Sequence, residues 1–514
     1  MIKKLDKSVV FVPTILVLII GLLITLFPAT STTVIKTLRN ILGNEFGWYY
    51  LMFGLVILGV MLYMAFSKIG KIKLGKDDDK PVNLFAWGAM IFTATMAADI
   101  LFYAFHEWTY YFNSGFLEQS VTTNSQRVLW SSSYSLFHWG LIPWSFYLVL
   151  AAIYAFIFFK LGRRDKQKLS EACRPLLGKH SDRAAGKMIN IVAIVCLIAG
   201  TSTTFSITAP LMTGIVLKLF NIRYSDFIPI LLLVIIAGMY AASVLTKKGI
   251  ENVAKITTIL YSFLIALFFV LGDSRFIIET GLQGVGNMLQ NFFAMSTWTD
   301  PLRASNGGGT ATGFPQDWTI FYWAYWIAWA VATPFFIARI SKGRTIKQVL
   351  IGGGIAGLLG TFASFIVLGG FGMHLQTTGG FDAIAMMNEG ASVAEMIIAM
   401  IGTMNGSTAI LILLLVVMLG LYASTFDSIT LVMSAFSYKK LDIDKNPAKR
   451  VKVYWVVVFI ILPIALVFLE TTTQLLMSLA IIGAFPMTII MTLVIISFFK
   501  ELKQKKVLKN EKQL

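Results

Sequence analysis

Long apolar stretches separated by short polar or basic connections dominate this chain of 514 residues. Each stretch has about the 20 residues that an α-helix needs to cross the hydrocarbon core of a bilayer. We therefore predict an all-α polytopic membrane protein with about twelve transmembrane helices. The predicted segments are 9–27, 48–67, 84–105, 135–160, 188–217, 227–246, 253–272, 318–338, 348–370, 406–435, 453–470 and 474–499.

The order of the segments suggests an internal repeat, because two leading helices precede two sets of five. An odd number of helices per set would insert the halves with opposite orientations, as in inverted repeats that hold a substrate between broken helices. Stretches 276–295 and 381–400 look amphipathic, whereas 112–133 and 300–317 look like polar loops. The predicted parts are two N-terminal helices in 1–83, a first repeat in 84–272, an amphipathic connecting helix and outer loop in 273–317, a second repeat in 318–500 and a basic tail in 501–514.

Composition supports the membrane assignment and excludes other classes. Hydrophobic residues make up 57% of the chain and charged residues only 13%. Soluble domains carry about 25% charged residues, and disordered chains combine high charge with low hydrophobicity. The composition is therefore that of a protein surrounded by membrane lipids.

Basic residues give a net charge of +17, and their positions predict the orientation. Only 7 of the 43 Lys and Arg residues lie in the odd-numbered connections, and the others lie in the even-numbered connections and near the termini. The positive-inside rule then predicts a multi-pass protein of the cell membrane with both termini in the cytoplasm. This placement explains the charge without a nucleic-acid partner.

The segment from Trp318 to Trp329 has seven aromatic residues in twelve positions. Trp326 and Trp329 are one helical turn apart and Tyr325 lies beside them, so three rings are able to form a box. A box of π faces suits a quaternary ammonium ion, which cannot donate a hydrogen bond. The alternative is an interfacial aromatic belt combined with core packing.

Two polar features lie inside predicted spans. Asp99 is a carboxylate within the third segment, where a charge costs about 2.5–3.5 kcal/mol and usually marks a substrate, ion or proton site. Ser424 and Thr425 stand near Asp427 in the tenth segment and offer hard oxygen ligands for a cation such as Na⁺. The alternatives are a structural Asp paired within the bundle and ordinary hydrogen bonds between helices.

Other polar residues point to no enzyme chemistry. His106 and Glu107 close the third segment and are expected near the outer surface, while His138 opens the fourth and is expected to be structural. No metalloprotease, nucleophile-elbow or phosphate-loop motif is present in the sequence. Short tails argue against a receptor, and the absence of a filter-like repeat argues against a channel. We therefore expect a transporter, without a metal or an organic cofactor.

Two stretches, Phe314–Trp326 and Ala338–Thr345, resemble the signature of the betaine/carnitine/choline transporter (BCCT) family. Shorter stretches at 135–140, 209–213 and 299–301 support this resemblance, which covers nearly the whole chain. It implies twelve helices, a five-plus-five inverted repeat of the leucine-transporter type, alternating access and often a homotrimer.

The resemblance also implies substrate-binding residues. The family's aromatic box falls on Tyr325, Trp326 and Trp329, and Trp323 matches a further tryptophan near the pathway. Betaine carriers have a glycine-rich run where this chain has residues 95–99, which end in Asp99. Choline-type members resemble this chain in carrying Asp at the position of Asp99. Betaine and carnitine bring their own carboxylate, whereas choline has none, so choline is the first expected substrate.

The same resemblance suggests how transport is driven. Sodium-coupled members resemble this chain at Ser424 and Thr425, with backbone ligands near Thr93 and Met96, which predicts Na⁺ symport. Asp99 as a proton carrier would instead give H⁺ symport. A third alternative is a carnitine, γ-butyrobetaine or glycine betaine carrier or exchanger, in which Lys255 replaces the sodium ion.

Overall fold

The computed structural model describes residues 4–114, 123–246, 249–301, 313–467 and 473–505. Within these residues, ten helices are long and apolar enough to cross a membrane, and two bent pairs raise the number to twelve. The prediction of an all-α polytopic membrane protein is confirmed. The spans are α1 (Lys7–Leu26), α2 (Gly47–Phe66), α3a (Leu84–Ala94) with α3b (Ala98–Phe112), α4 (Asn124–Lys160), α5 (Ala184–Phe220), α6 (Phe227–Leu245), α7 (Gly249–Leu271), α8a (Pro315–Trp329) with α8b (Thr333–Ile340), α9 (Gln348–Thr378), α10 (Ser407–Ser437), α11 (Lys449–Val467) and α12 (Thr473–Gln504).

The third and eighth spans are the two broken helices. α3a and α3b meet at 65°, and α8a and α8b meet at 55°. The break in α3 forms without glycine, because Ala97 adopts an extended conformation with φ −127° and ψ 156°. Pro334 lies in the first turn of α8b, where its missing N–H cannot continue the preceding helix. Each break falls in the first helix of a predicted set of five, as an inverted repeat requires, although the part boundaries stay predictions.

The fourth span differs from its prediction. α4 begins at Asn124 rather than near residue 135, so much of the expected polar loop 112–133 is helical. Its serines are buried against the connecting helix Ser274–Gln290, where Asn287 donates a hydrogen bond to Ser133 at 2.9 Å. The polar sequence hid this part of the helix, because several of its hydroxyl groups form hydrogen bonds inside the bundle. Ser132 donates to the Thr280 carbonyl of the connecting helix, whereas Ser133 and Ser135 donate to carbonyls of α4 itself. The rest of this loop and the outer loop, at 115–122 and 302–312, lie outside the described residues.

One end of the bundle, which we call the basic end, gathers the even-numbered connections and the end of α12. Asp6, just before α1, lies 3.8 Å from Lys168 in the connection between α4 and α5. Burial lowers the pKa of Lys168 to about 8, while Asp6 favours its charged form. Arg163 of the same connection pairs with Glu501 of α12 at 2.9 Å. Of the predicted basic tail, residues 506–514 lie outside the described residues.

Close packing between α4 and α9 fixes the ring of Trp144. A Cβ atom added at Gly357 of α9 would lie 2.5 Å from three atoms of that ring. Real Cβ contacts are longer, so this crossing requires glycine. The small residue lets the two helices approach and sets the position of an indole that matters below.

We therefore expect Gly357→Val to lower stability by about 1–3 kcal/mol, because overpacking displaces Trp144 or separates the helices. Thermal unfolding of the detergent-solubilised protein measures this change. Gly59→Val is the matched control, because a Cβ at Gly59 in α2 meets no other atom within 4 Å. Equal melting temperatures for the two variants would contradict the packing argument.

Candidate functional site

A cavity of about 560 Å³ begins beside the two helix breaks. Parts of α3, α4, α7, α8 and α10 line it, and it extends to the basic end, where Gln167, Arg339 and Asn446 contribute. On its other side, Tyr103, Trp139 and Tyr322 pack ring against ring with centroids 5.3–5.7 Å apart. In this conformation the path from the cavity therefore leads toward the basic end.

Aromatic rings from α4 and α8a form one wall of the cavity. The Trp326 ring centroid lies 5.6 Å from that of Trp139, 5.4 Å from that of Trp144 and 4.7 Å from that of Tyr147. Tyr325 and Trp329 line the same cavity, so the three predicted box residues are brought together. The wall presents several π faces to one space, an arrangement that binds onium groups.

The sequence did not single out the three rings of α4. One apolar stretch of nine residues contains all three: Trp139, Trp144 and Tyr147. This density of aromatic residues was the only sign of them in the sequence. Their apolar context equally fits core packing. Only the pairing of α4 with α8a turns them toward the cavity.

Asp99 lies in the first turn of α3b, where the helix dipole favours negative charge. Its Oδ1 atom accepts a hydrogen bond from the Ile100 backbone N–H at 3.0 Å, and its Oδ2 atom accepts one from the Tyr325 hydroxyl at 2.5 Å. Tyr325 is held in turn by Thr204 of α5. The residue is 7% exposed and lines the cavity. The carboxylate is thus oriented by neutral groups.

Asp99 has no cationic partner within the part of the chain that the structure describes, where no Lys, Arg or His nitrogen lies within 4 Å of it. Asp427, another acidic residue of this cavity, is instead paired with Lys452 at 2.8 Å. A buried carboxylate without a counter-charge is costly. The arrangement leaves a place for a positive charge on a ligand.

The predicted ion-binding residues also line this cavity: Thr93, Met96, Ser424 and Thr425. They lie at the α3 break and on α10. The Ser424 hydroxyl donates to the Gly420 carbonyl at 3.0 Å, and the Thr93 hydroxyl donates to the Met90 carbonyl at 3.1 Å. Because these protons are used within their own helices, hydroxyl lone pairs remain for a cation.

Trp323 and Lys255 do not line this cavity. The Trp323 ring is fully buried against α2, where a Cβ at Gly54 would lie 2.8 Å from it, and it also packs on Phe137. Lys255 is exposed on α7, whereas Thr257 of the same helix lines the cavity. The geometry therefore leaves Trp323 outside the site and gives no support to Lys255 as a built-in cation.

The expectation that His106 and Glu107 lie near the outer surface of the membrane stays a prediction, but neither side chain is exposed. Both side chains are fully buried, as is His138. The early start of α4 contributes to this burial, because α3b packs along α4 and also against α9 and α5. These groups therefore belong to the interior of the bundle.

Within the described residues, ten to twelve candidate membrane spans surround an aromatic cavity between broken helices, which is an architecture typical of membrane transporters. The family model "BCCT, betaine/carnitine/choline family transporter" matches residues 8–507, so the chain belongs to the BCCT family.

Similar proteins differ in the substrates that their names give. The chain is 30% identical to the glycine betaine transporter OpuD of Bacillus subtilis, over 95% of this chain and 93% of that protein. It is 27% identical to the osmo-independent choline transporter of Acinetobacter baylyi, over 98% of this chain and 94% of that protein. It is 26% identical to a carnitine transporter of Acinetobacter baumannii, over 86% of this chain and 78% of that protein.

We expect Trp326→Leu to weaken binding of every quaternary ammonium substrate by about twofold to thirtyfold, because one cation–π contact is lost. Equilibrium binding of labelled choline and labelled glycine betaine to the solubilised protein measures it. Trp48→Leu is the matched control, because Trp48 is half exposed on α2 and lies outside the cavity. Unchanged affinity in Trp326→Leu would refute the aromatic wall as a binding surface.

Proposed function

We propose that this BCCT transporter carries a net-cationic quaternary ammonium compound, choline first, in symport with Na⁺ or H⁺. Asp99 is the observation that carries the proposal. Its carboxylate is buried, faces an aromatic cavity and has no cationic partner within 4 Å among the described side chains. A substrate with a positive charge and no carboxylate supplies what this site lacks.

Electrostatics separates choline from the zwitterionic substrates. The trimethylammonium group of choline contacts the rings of Trp326 and its neighbours, with about 0.5–2 kcal/mol from each desolvated cation–π contact. Its hydroxyl is able to donate to the Asp99 carboxylate. Glycine betaine and carnitine would bring a second carboxylate toward Asp99, and like charges in a site of low dielectric repel strongly.

A zwitterionic substrate is the second candidate, and one observation favours it. The indole N–H groups of Trp326 and Trp329 are buried and have no hydrogen-bond partner among the described residues. Such donors suit a carboxylate oxygen. Glycine betaine, carnitine or γ-butyrobetaine would then bind with its carboxylate turned away from Asp99.

The coupling ion has two candidate sites in the same cavity. Sodium would bind between the α3 break and α10, using the oxygens of Thr93, Met96, Ser424 and Thr425. A proton would instead bind Asp99. Both ions would enter a space that the substrate shares, which allows their binding to be coupled.

The basic end supports a cytoplasmic location for both termini in the cell membrane, since the even-numbered connections meet there. A homotrimer rests on family resemblance alone, and the mass of the solubilised protein tests it.

For the orientation, we expect a cysteine that replaces exposed Lys179, in the connection between α4 and α5, to resist impermeant thiol reagents in intact cells. A cysteine at exposed Arg275 should react, and the reverse pattern would contradict the orientation.

One experiment tests the identity of the substrate and of the coupling ion together. It measures uptake of labelled choline and of labelled glycine betaine into proteoliposomes under a Na⁺ gradient, a pH gradient or neither. We expect Asp99→Gly to reduce choline uptake by about tenfold or more, because a charged interaction is lost, while betaine uptake is largely kept.

Asp427→Asn is the control for this experiment, because it removes a cavity carboxylate that Lys452 already neutralises. It should leave the preference for choline over betaine unchanged. Betaine transport by the wild type without choline transport would reject the proposed role of Asp99.

A further inference from the structure

We propose that Glu107, Tyr111 and His138, which we call the outer triad, form a proton-binding site whose occupancy is coupled to transport. The triad lies where α3b, α4 and α8a meet, on the side of the cavity away from the basic end, which the proposed orientation makes the outer side. The proposal rests on the transport function proposed above and assigns it a proton site separate from Asp99.

Hydrogen bonds connect the three side chains directly. Tyr111 donates to Oε1 of Glu107, and its hydroxyl also lies 2.6 Å from Nδ1 of His138. Nδ1 of His138 is 3.7 Å from Oε1 of Glu107, and its Nε2 is 2.9 Å from the Thr319 hydroxyl of α8a. Glu107 and His138 have fully buried side chains, so the acid and the base meet away from water.

Counting protons shows that the triad has alternative protonation states. A phenol has one proton and cannot donate it to both the Glu107 carboxylate and the imidazole Nδ1 atom. Either His138 carries a proton on Nδ1, or Glu107 is protonated and donates to the Tyr111 oxygen. A proton that enters binds the carboxylate or the free imidazole nitrogen, and no other bond is made or broken.

The surroundings do not provide a fixed counter-charge. Among the described residues, no Lys or Arg nitrogen lies within 4 Å of Glu107, and no carboxylate other than Glu107 lies that close to His138. A buried acid in this position is favoured as a neutral group or as a pair with a protonated histidine. The other titratable groups facing the triad from α3b, α4 and α8a are Tyr103, His106, Tyr110, Tyr134 and Tyr322.

Trp139 connects the triad to the substrate cavity. Its indole N–H donates to Oε2 of Glu107 at 2.6 Å, while its ring packs on Trp326 and lines the cavity. A change of charge on Glu107 therefore changes the strength of a bond that holds the aromatic wall in place. Proton binding and substrate binding act on the same side chain.

α3b provides a second connection. Asp99, Tyr103, Glu107 and Tyr111 recur every four residues and thus follow one face of the helix. The Tyr103 hydroxyl, between the two carboxylates, is buried without a hydrogen-bond partner in the described part of the chain. This face runs from the substrate-facing carboxylate to the triad.

The experiment uses the full chain in proteoliposomes that contain a pH-sensitive dye, with choline and glycine betaine as separate probes. We expect substrate addition to carry protons into wild-type vesicles. Glu107→Gln should abolish this proton entry. It should also lower the accumulation of substrate driven by a pH gradient by about tenfold or more, which lies in the usual range for coupling between two sites. It should keep exchange of internal for external substrate, because exchange needs no net proton movement.

Glu279→Gln is the matched control, because Glu279 is exposed on the connecting helix and pairs with Arg275. His138→Gln is the second variant, with the same expected losses, and retained exchange shows that each variant is folded. Wild-type transport without proton entry, or full proton entry in both variants, would overturn the proposal. If the proposal of choline as substrate fails, the result is different. Choline is then transported into none of the vesicles, while proton entry with glycine betaine still measures the role of the triad.

Discussion

A charged carboxylate in the interior of a membrane protein is costly without a positive partner, and the partners of Asp99 among the described residues are neutral. Ile100 and Tyr325 orient its oxygens, and the first turn of α3b favours its negative charge. These contacts reduce the cost of burial without neutralising the charge. The free energy of binding in the cavity beside Asp99 is therefore more favourable for a cationic ligand than for a neutral one.

The breaks in α3 and α8 make this arrangement possible. Irregular backbone inside a membrane is tolerated where it lines a cavity or is covered by protein. The α3 break places Asp99 at a helix start, and the α8 break ends the aromatic helix directly beyond Trp329. Gly357 of α9 leaves room for the ring of Trp144, so that this ring packs closely on α9 beside the cavity. Backbone geometry and side-chain chemistry thus converge on one pocket.

The sequence alone predicted the parts of this account that depend on local patterns. Apolar length revealed the spans, and the unusual placement of Asp99 and of the rings around Trp326 revealed one side of the pocket. The rings of α4 escaped notice because only helix pairing turns them inward. The buried position of Glu107 was missed because the serine-rich start of α4 looked like a loop. Its hydroxyls instead bond to carbonyls of α4 and to the connecting helix.

The central claim is that Asp99 recognises the charge of the substrate. The most direct measurement compares the affinities for choline and for dimethylbutanol, its uncharged carbon isostere, in the wild type and in Asp99→Asn. The account predicts a wild-type preference for choline that falls about tenfold or more in the variant, while the aromatic contribution remains. An equal preference for choline in both proteins would contradict it.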